Sequence, residues 1–228
     1  MSNLALILLR GNTENMILRN IKCFCEKPII AYSIEAALRS NVFDKVVVLT
    51  DKKEVEEIAL KYGAAVFSGQ ICNTYDVYVE PQNESHEISK IMENMGEEYS
   101  YVCSISSAAP FVSANKIKEG YNNLRENRAD VLIPVMKYRV PPQSGMRIGE
   151  DGFIRCLSPE YKKIRRNDME PCYHDAMQFR WYSVKNCASH KEGLILSTLM
   201  LSDVEETMIK MDSDWRLQEM LYQRFANK

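Results

Sequence analysis

The chain has 228 residues, a formal charge of −2 at pH 7 and a sequence pI near 6.0. That length suits one domain with a sizeable core, and the near-neutral balance argues against a general nucleic-acid or membrane-surface binder. No apolar run is long enough to span a bilayer. The N-terminus lacks the basic start, apolar stretch and small-residue site of a signal peptide, so the expected location is the cytoplasm.

Residues 4–9 are an unbroken apolar run, too short for a useful helix, and read as a central strand buried on both faces. The loop behind it carries Arg10, Gly11, Asn12, Thr13 and Arg19 at the strand's carboxyl end, where open α/β sheets bind ligands. Glycine lets a phosphate approach the backbone and the arginines supply charge. The loop matches neither the Walker nor the dinucleotide pattern, and an ordinary surface loop has the same composition.

Pro28 then suits the first turn of a helix over 29–40, followed by a buried strand over 45–49. Thr50 and Asp51 are placed to cap a helix ending at Tyr62, with Gly63 as its stop and a short strand over 64–67. Residues 68–81 read as loop, 83–95 as helix and 101–105 as strand. Ser113 is expected to cap a helix to Asn127, before a strand over 131–135. Strand–helix alternation stops there. The proline- and glycine-rich stretch 137–170 reads as a β-rich excursion inside a single domain spanning 1–228. Strands are expected over 178–184 and 208–211, and Asp214 caps a terminal helix bearing Trp215, Leu217, Met220, Leu221 and Phe225. Alternation of buried strands with helices predicts an α/β fold with a mostly parallel sheet flanked by helices.

The seven cysteines show no zinc-like spacing, and reduced structural thiols are expected. Of the three histidines, His86, His174 and His190, only His174 sits among candidate ligand groups.

Several stretches carry a resemblance. They are Arg19-Asn20-Ile21-Lys22, residues 28–37, 40–51 and 59–64, Ala109-Pro110-Phe111, and above all Arg165 with the run 168–179. Within that run, Tyr173-His174-Asp175-Ala176 followed by Gln178-Phe179 is the most specific piece. Together they resemble the CMP-sialic acid synthetases (acylneuraminate cytidylyltransferases), and among these the pseudaminic acid branch. The resemblance implies a Rossmann-like nucleotidyltransferase domain whose excursion serves dimerisation, hence a homodimer. It implies attack of an acidic keto-sugar's anomeric hydroxyl on the α-phosphate of CTP, with magnesium, giving a CMP-sugar and pyrophosphate. No protein nucleophile is needed, because the work is positioning and charge stabilisation.

Carried over to this chain, the resemblance makes Arg10, Arg19 and Asp212 the catalytic set, with Asp212 as metal ligand. Gly11, Asn12, Thr13, Asn20 and Ser85 would face the nucleotide. Arg165, Tyr173, His174, Asp175 and Gln178 would face the sugar, Arg165 being suited to its carboxylate. Departures fall in the same places. Glu14 stands where the family has lysine, Lys210 where it has the first metal aspartate, Met177 where it has glycine, Ala108 where many members have threonine, and Arg19 where it has lysine. One unit charge about 4 Å from another at an effective dielectric of ~20 is worth roughly 4 kcal/mol, so an inward Glu14 would repel triphosphate. Glu14 and Lys210 are expected to pair across the pocket, either preserving it or plugging it. The alternative function is a catalytically silent homologue that keeps sugar or nucleotide binding, or partners an active subunit.

Overall fold

The computed structural model describes residues 2–9, 19–68, 80–190, 193–202 and 212–226, with side chains over 215–225 in the last segment. The expected loop residues 10–14 and the expected strand 208–211 lie outside these residues.

The scaffold is one large sheet. Its parallel half runs β1 (Asn3–Leu8) at the centre, β4 (Lys45–Leu49) and β5 (Ala65–Phe67) to one side and β6 (Tyr101–Ser106) to the other. Two short strands, β2 (Cys23–Phe24) and β3 (Lys27–Pro28), form a separate hairpin. Beyond β6 the sheet turns mixed: β11 (Phe179–Ser183) pairs antiparallel with both β6 and β7 (Val131–Lys137). The strand β10 (Tyr173–Asp175) also pairs antiparallel with β7. An edge strand, β12 (Leu196–Met200), closes β7 in parallel.

Two of these strands, β10 and β12, are additions to the sequence reading. β12 alternates weakly and leaves Leu196 and Met200 half-exposed, so it has little periodic signal. β10 and β11 run along the same neighbour and are separated by a bulge over 176–178. Pro134 faces that bulge: its carbonyl accepts the Ala176 N–H at 2.9 Å, while the amide proton it lacks would have had no regular partner there.

Helices cover both faces of the sheet. Ala5, Ile7 and Leu9 join the core under α1 (Ile29–Ser40), α2 (Lys53–Lys61) and α4 (Ala114–Glu126). Leu4, Leu6 and Leu8 join the opposite core under α3 (Pro81–Met95) and α5 (Val184–Ser189). Gly120 lets α4 sit close, since an added Cβ would lie 3.1–3.2 Å from Phe179, Leu132 and Trp181. Ser113 caps α4 as expected, accepting from the Lys116 N–H. The α2 cap differs: the helix starts after Lys52, and Thr50 instead accepts the Lys52 N–H at 3.0 Å, ending the preceding strand. The terminal helix α6 spans Asp212–Ala226, so Asp214 lies in its first turn rather than at its cap.

The stretch 137–170 holds a hairpin, β8 (Met146–Ile148) with β9 (Ile154–Cys156), and three short 3-10 turns. Among the described residues no helix is long and apolar enough to cross a membrane.

Candidate active site at the carboxyl edge of the sheet

β1 is followed in sequence by β4 on one side, while β6 pairs on the other, so the chain diverges at the carboxyl ends of β1 and β6. Ligands of doubly wound sheets bind at such a crevice. The residues gathered there are neutral and polar. Asn20 is buried and its Oδ1 accepts the Ser107 hydroxyl at 2.6 Å, while Ser107 N–H reaches the Leu8 carbonyl at 3.4 Å. Ser33 donates to the Ser106 carbonyl at 2.7 Å, and Ser106 N–H donates to the carbonyl of buried Gln178 at 2.8 Å. Asn20 and Gln178 therefore stand at one strand edge although 158 positions separate them (178 less 20). Arg19 precedes Asn20 and is half-buried.

The first turn of α6 is docked beside this edge. Trp215 is buried, Lys22 lies 4.5 Å over its ring, and Phe24 meets it edge-on at 5.7 Å. Further along the helix, Tyr222 packs edge-on against Phe24, Tyr32 and Phe111. The backbone of Asp212 thus opens a helix anchored two residues from Asn20. The side chain of Asp212 lies outside the described residues, as do Arg10, Gly11, Asn12, Thr13, Glu14 and Lys210. The expected Glu14–Lys210 pair lies outside them too.

On the α3 side of the sheet sits a charged group of which the sequence reading singled out only Asp175. Arg180 is 3% exposed; its Nη1 donates to Glu84 Oε2 at 2.6 Å, and its Nε and Nη2 both reach Asp175 Oδ2, at 2.9 and 2.5 Å. Glu84 is 1% exposed and lies in the first turn of α3. Burial works against the Arg180 charge, yet Glu84, Tyr182 and Asp175 around it push its pKa above the ordinary guanidinium value. Burial and then Glu84 raise Tyr182 well above the usual phenol. A clue was present in the pattern: Arg180 interrupts a strand whose neighbours Phe179, Trp181 and Tyr182 are all buried, and Glu84 is one turn ahead of inward Ile88.

The remaining sugar-side candidates divide. Both Asp175 oxygens are occupied, since Oδ1 accepts the Met177 N–H at 2.6 Å. His174 Nδ1 lies 3.0 Å from the Asp175 carbonyl, and its ring packs on Tyr138 at 4.8 Å. Tyr173 is half-exposed on β10. Arg165 stands on the excursion with a side chain 85% exposed, its Nε 2.7 Å from Asp168. The Ser85 hydroxyl donates to Gln82 at 2.8 Å within α3. Ala108 packs against the Phe24–Tyr32–Trp215 cluster. Among the described residues no group of three or more His, Cys, Asp and Glu could hold a metal ion.

A family model described as cytidylyltransferase matches residues 4–148, more than half the chain. The chain belongs to the cytidylyltransferase family. It is 32% identical over 179 residues to the pseudaminic acid cytidylyltransferase of Campylobacter jejuni, covering 78% of this chain and 77% of that protein. It is also 30% identical over 135 residues to N-acylneuraminate cytidylyltransferase A of Danio rerio, covering 58% of this chain and 30% of the other. Among solved structures, a CMP:2-keto-3-deoxy-manno-octonic acid synthetase complexed with CTP superposes with a TM-score of 0.69 over 100% of both chains at 12% identity. The 4-diphosphocytidyl-2C-methyl-D-erythritol synthase of Anaerococcus prevotii gives 0.65 at 12% identity over 98% and 99%. The α/β sheet is thus the Rossmann-like nucleotidyltransferase fold, with its mixed half on the β7 side.

Proposed function

We propose that this cytidylyltransferase uses CTP to activate a nine-carbon acidic sugar of the sialic or pseudaminic type, giving CMP-sugar and pyrophosphate. The observation that carries the reading is the match to the Campylobacter enzyme over 78% of the chain. The convergence of Asn20, Gln178 and the start of α6 on one strand edge supports it.

In this reading the sugar's anomeric hydroxyl attacks the α-phosphate and pyrophosphate leaves. Arg10 and Arg19 offset charge on the triphosphate, while Gly11, Asn12 and Thr13 approach it through backbone and short side chains. Asn20, oriented by Ser107, reads the nucleotide, and Ser85 on α3 is assigned to the same ligand. Gln178, Tyr173 and His174 meet the sugar, and Arg165 takes its carboxylate by rotating off Asp168. Magnesium is commonly held by one or two carboxylates plus substrate phosphates, so Asp212 and the triphosphate would be its ligands here, where it would offset phosphate charge.

A second reading rests on Glu14 and Lys210, which reverse the charge at both phosphate-side positions relative to the family pattern. In that reading the chain is a silent homologue whose nucleotide pocket is plugged and which retains sugar binding. Calorimetric titration with CTP, with and without magnesium, separates the two. Metal-dependent binding is expected. Absence of binding in the wild type, with binding gained by Glu14→Lys/Lys210→Asp, would overturn the enzymatic reading in favour of the silent one.

A further inference from the structure

Arg180 is held from two sides by elements that face different parts of the site. Glu84 presents the first turn of α3, one residue before Ser85. Asp175 ends β10 and, through its other oxygen, holds the Met177 N–H. The bulge that follows is not a relaxed one: Met177 has φ +55, in the left-handed region that side chains other than glycine, asparagine and aspartate rarely adopt. Something must hold that conformation, and the Met177 N–H donates to Asp175 Oδ1 at 2.6 Å. Asp175 is in turn fixed by two nitrogens of Arg180 on its Oδ2. One residue later the chain delivers Gln178 to the carboxyl end of β6.

We infer that Arg180, clamped between Glu84 and Asp175, is a positioning residue: it sets the 175–178 bulge, and with it the groups that meet the acidic sugar. The inference rests on the proposed cytidylyltransferase reading for its substrate. It assigns Asp175 to the support of the sugar site rather than to contact with the sugar, because its side chain is only 9% exposed and both oxygens bind groups of this chain. It also explains a charged residue in a wholly buried strand. A guanidinium can span two carboxylates with separate edges, whereas an ammonium is a single point of charge. A lysine here would keep the charge and lose the span.

The test is Arg180→Lys in the full chain, with Glu84→Gln as the second variant if the first fails to fold. Each is compared with wild type for KM and kcat toward the acidic sugar, CTP affinity, and hydrogen exchange of the Met177 amide. The expected result is a rise of about tenfold in sugar KM with CTP affinity unchanged within about twofold, since losing about one net hydrogen bond to the sugar costs on that order. Met177 exchange should accelerate in the same variants. Lower stability with sugar KM unchanged would overturn the proposal and leave Arg180 a purely structural ion pair. Equal rises for both substrates would also overturn it, pointing to general loosening. If the wild type itself turns nothing over, the cytidylyltransferase reading fails. Met177 exchange then still decides whether Arg180 sets the bulge, and unchanged exchange rejects it.

Discussion

At the scale of single residues, Met177 is the most informative departure from the family pattern. The family resemblance implies glycine at this position, but the cost of a side chain there shows only in the backbone, at φ +55. Left-handed backbone costs a residue with a Cβ roughly 1–2 kcal/mol, while glycine costs about 0.5–1 kcal/mol more in unfolded-chain entropy. Met177→Gly is therefore expected to stabilise the protein by about 0.5–1 kcal/mol, read as a raised urea midpoint at unchanged slope. A lowered midpoint would mean that the methionine side chain packs well enough to outweigh the strain. The Arg180 group was less legible. A charged residue in an apolar strand signals a buried partner, yet nothing in the linear chain names Glu84, which is 96 positions away.

Among elements, the order of main-sheet strands and helices through β7 was legible because each segment has a strong period or a clear stop such as Gly63, whose φ is +90, whereas the two-residue strands of the β2–β3 hairpin are too short to show a period. The β10–β11 bulge and β12 were not legible, for different reasons. The bulge breaks alternation at the point where the chain changes direction, and β12 owes its existence to pairing with β7 rather than to its own pattern. The terminal helix was legible, but its docked face differs from the expected one: Leu217, Met220 and Phe225 are 57%, 62% and 40% exposed, while Tyr222 joins Trp215 in the contact. Trp215, Phe24, Tyr32 and Tyr222 dock α6 against the hairpin beside Asn20. Trp215→Ala is expected to cost about 3 kcal/mol in urea unfolding. It should also weaken CTP binding, because Asp212 begins the helix that Trp215 anchors. Full retention of CTP affinity after that loss of stability would detach α6 from the nucleotide site.

At the scale of the molecule, the excursion is where the fold looks incomplete as a single chain. Ile148 is 75% exposed, Phe153 69%, Ile154 64% and Met146 63%, an apolar hairpin that water disfavours. The dimer proposed from the family resemblance would cover it. Light scattering should give twice the chain mass of 26.3 kDa, and Ile148→Asp/Phe153→Asp should give the monomer. A wild-type monomer at micromolar concentration would reject that role for the hairpin. The phosphate-side residues Arg10 to Glu14 and Lys210 carry the remaining weight of the functional reading, and their chemistry is expressed only in turnover. The most direct measurement is to incubate the purified protein with CTP, magnesium and a pseudaminic- or sialic-type acid and to follow products by mass spectrometry and pyrophosphate release. CMP-sugar and pyrophosphate appearing in equal amounts is the predicted result. CTP bound but left intact with every such sugar would contradict it and establish a binding protein on an enzyme's fold.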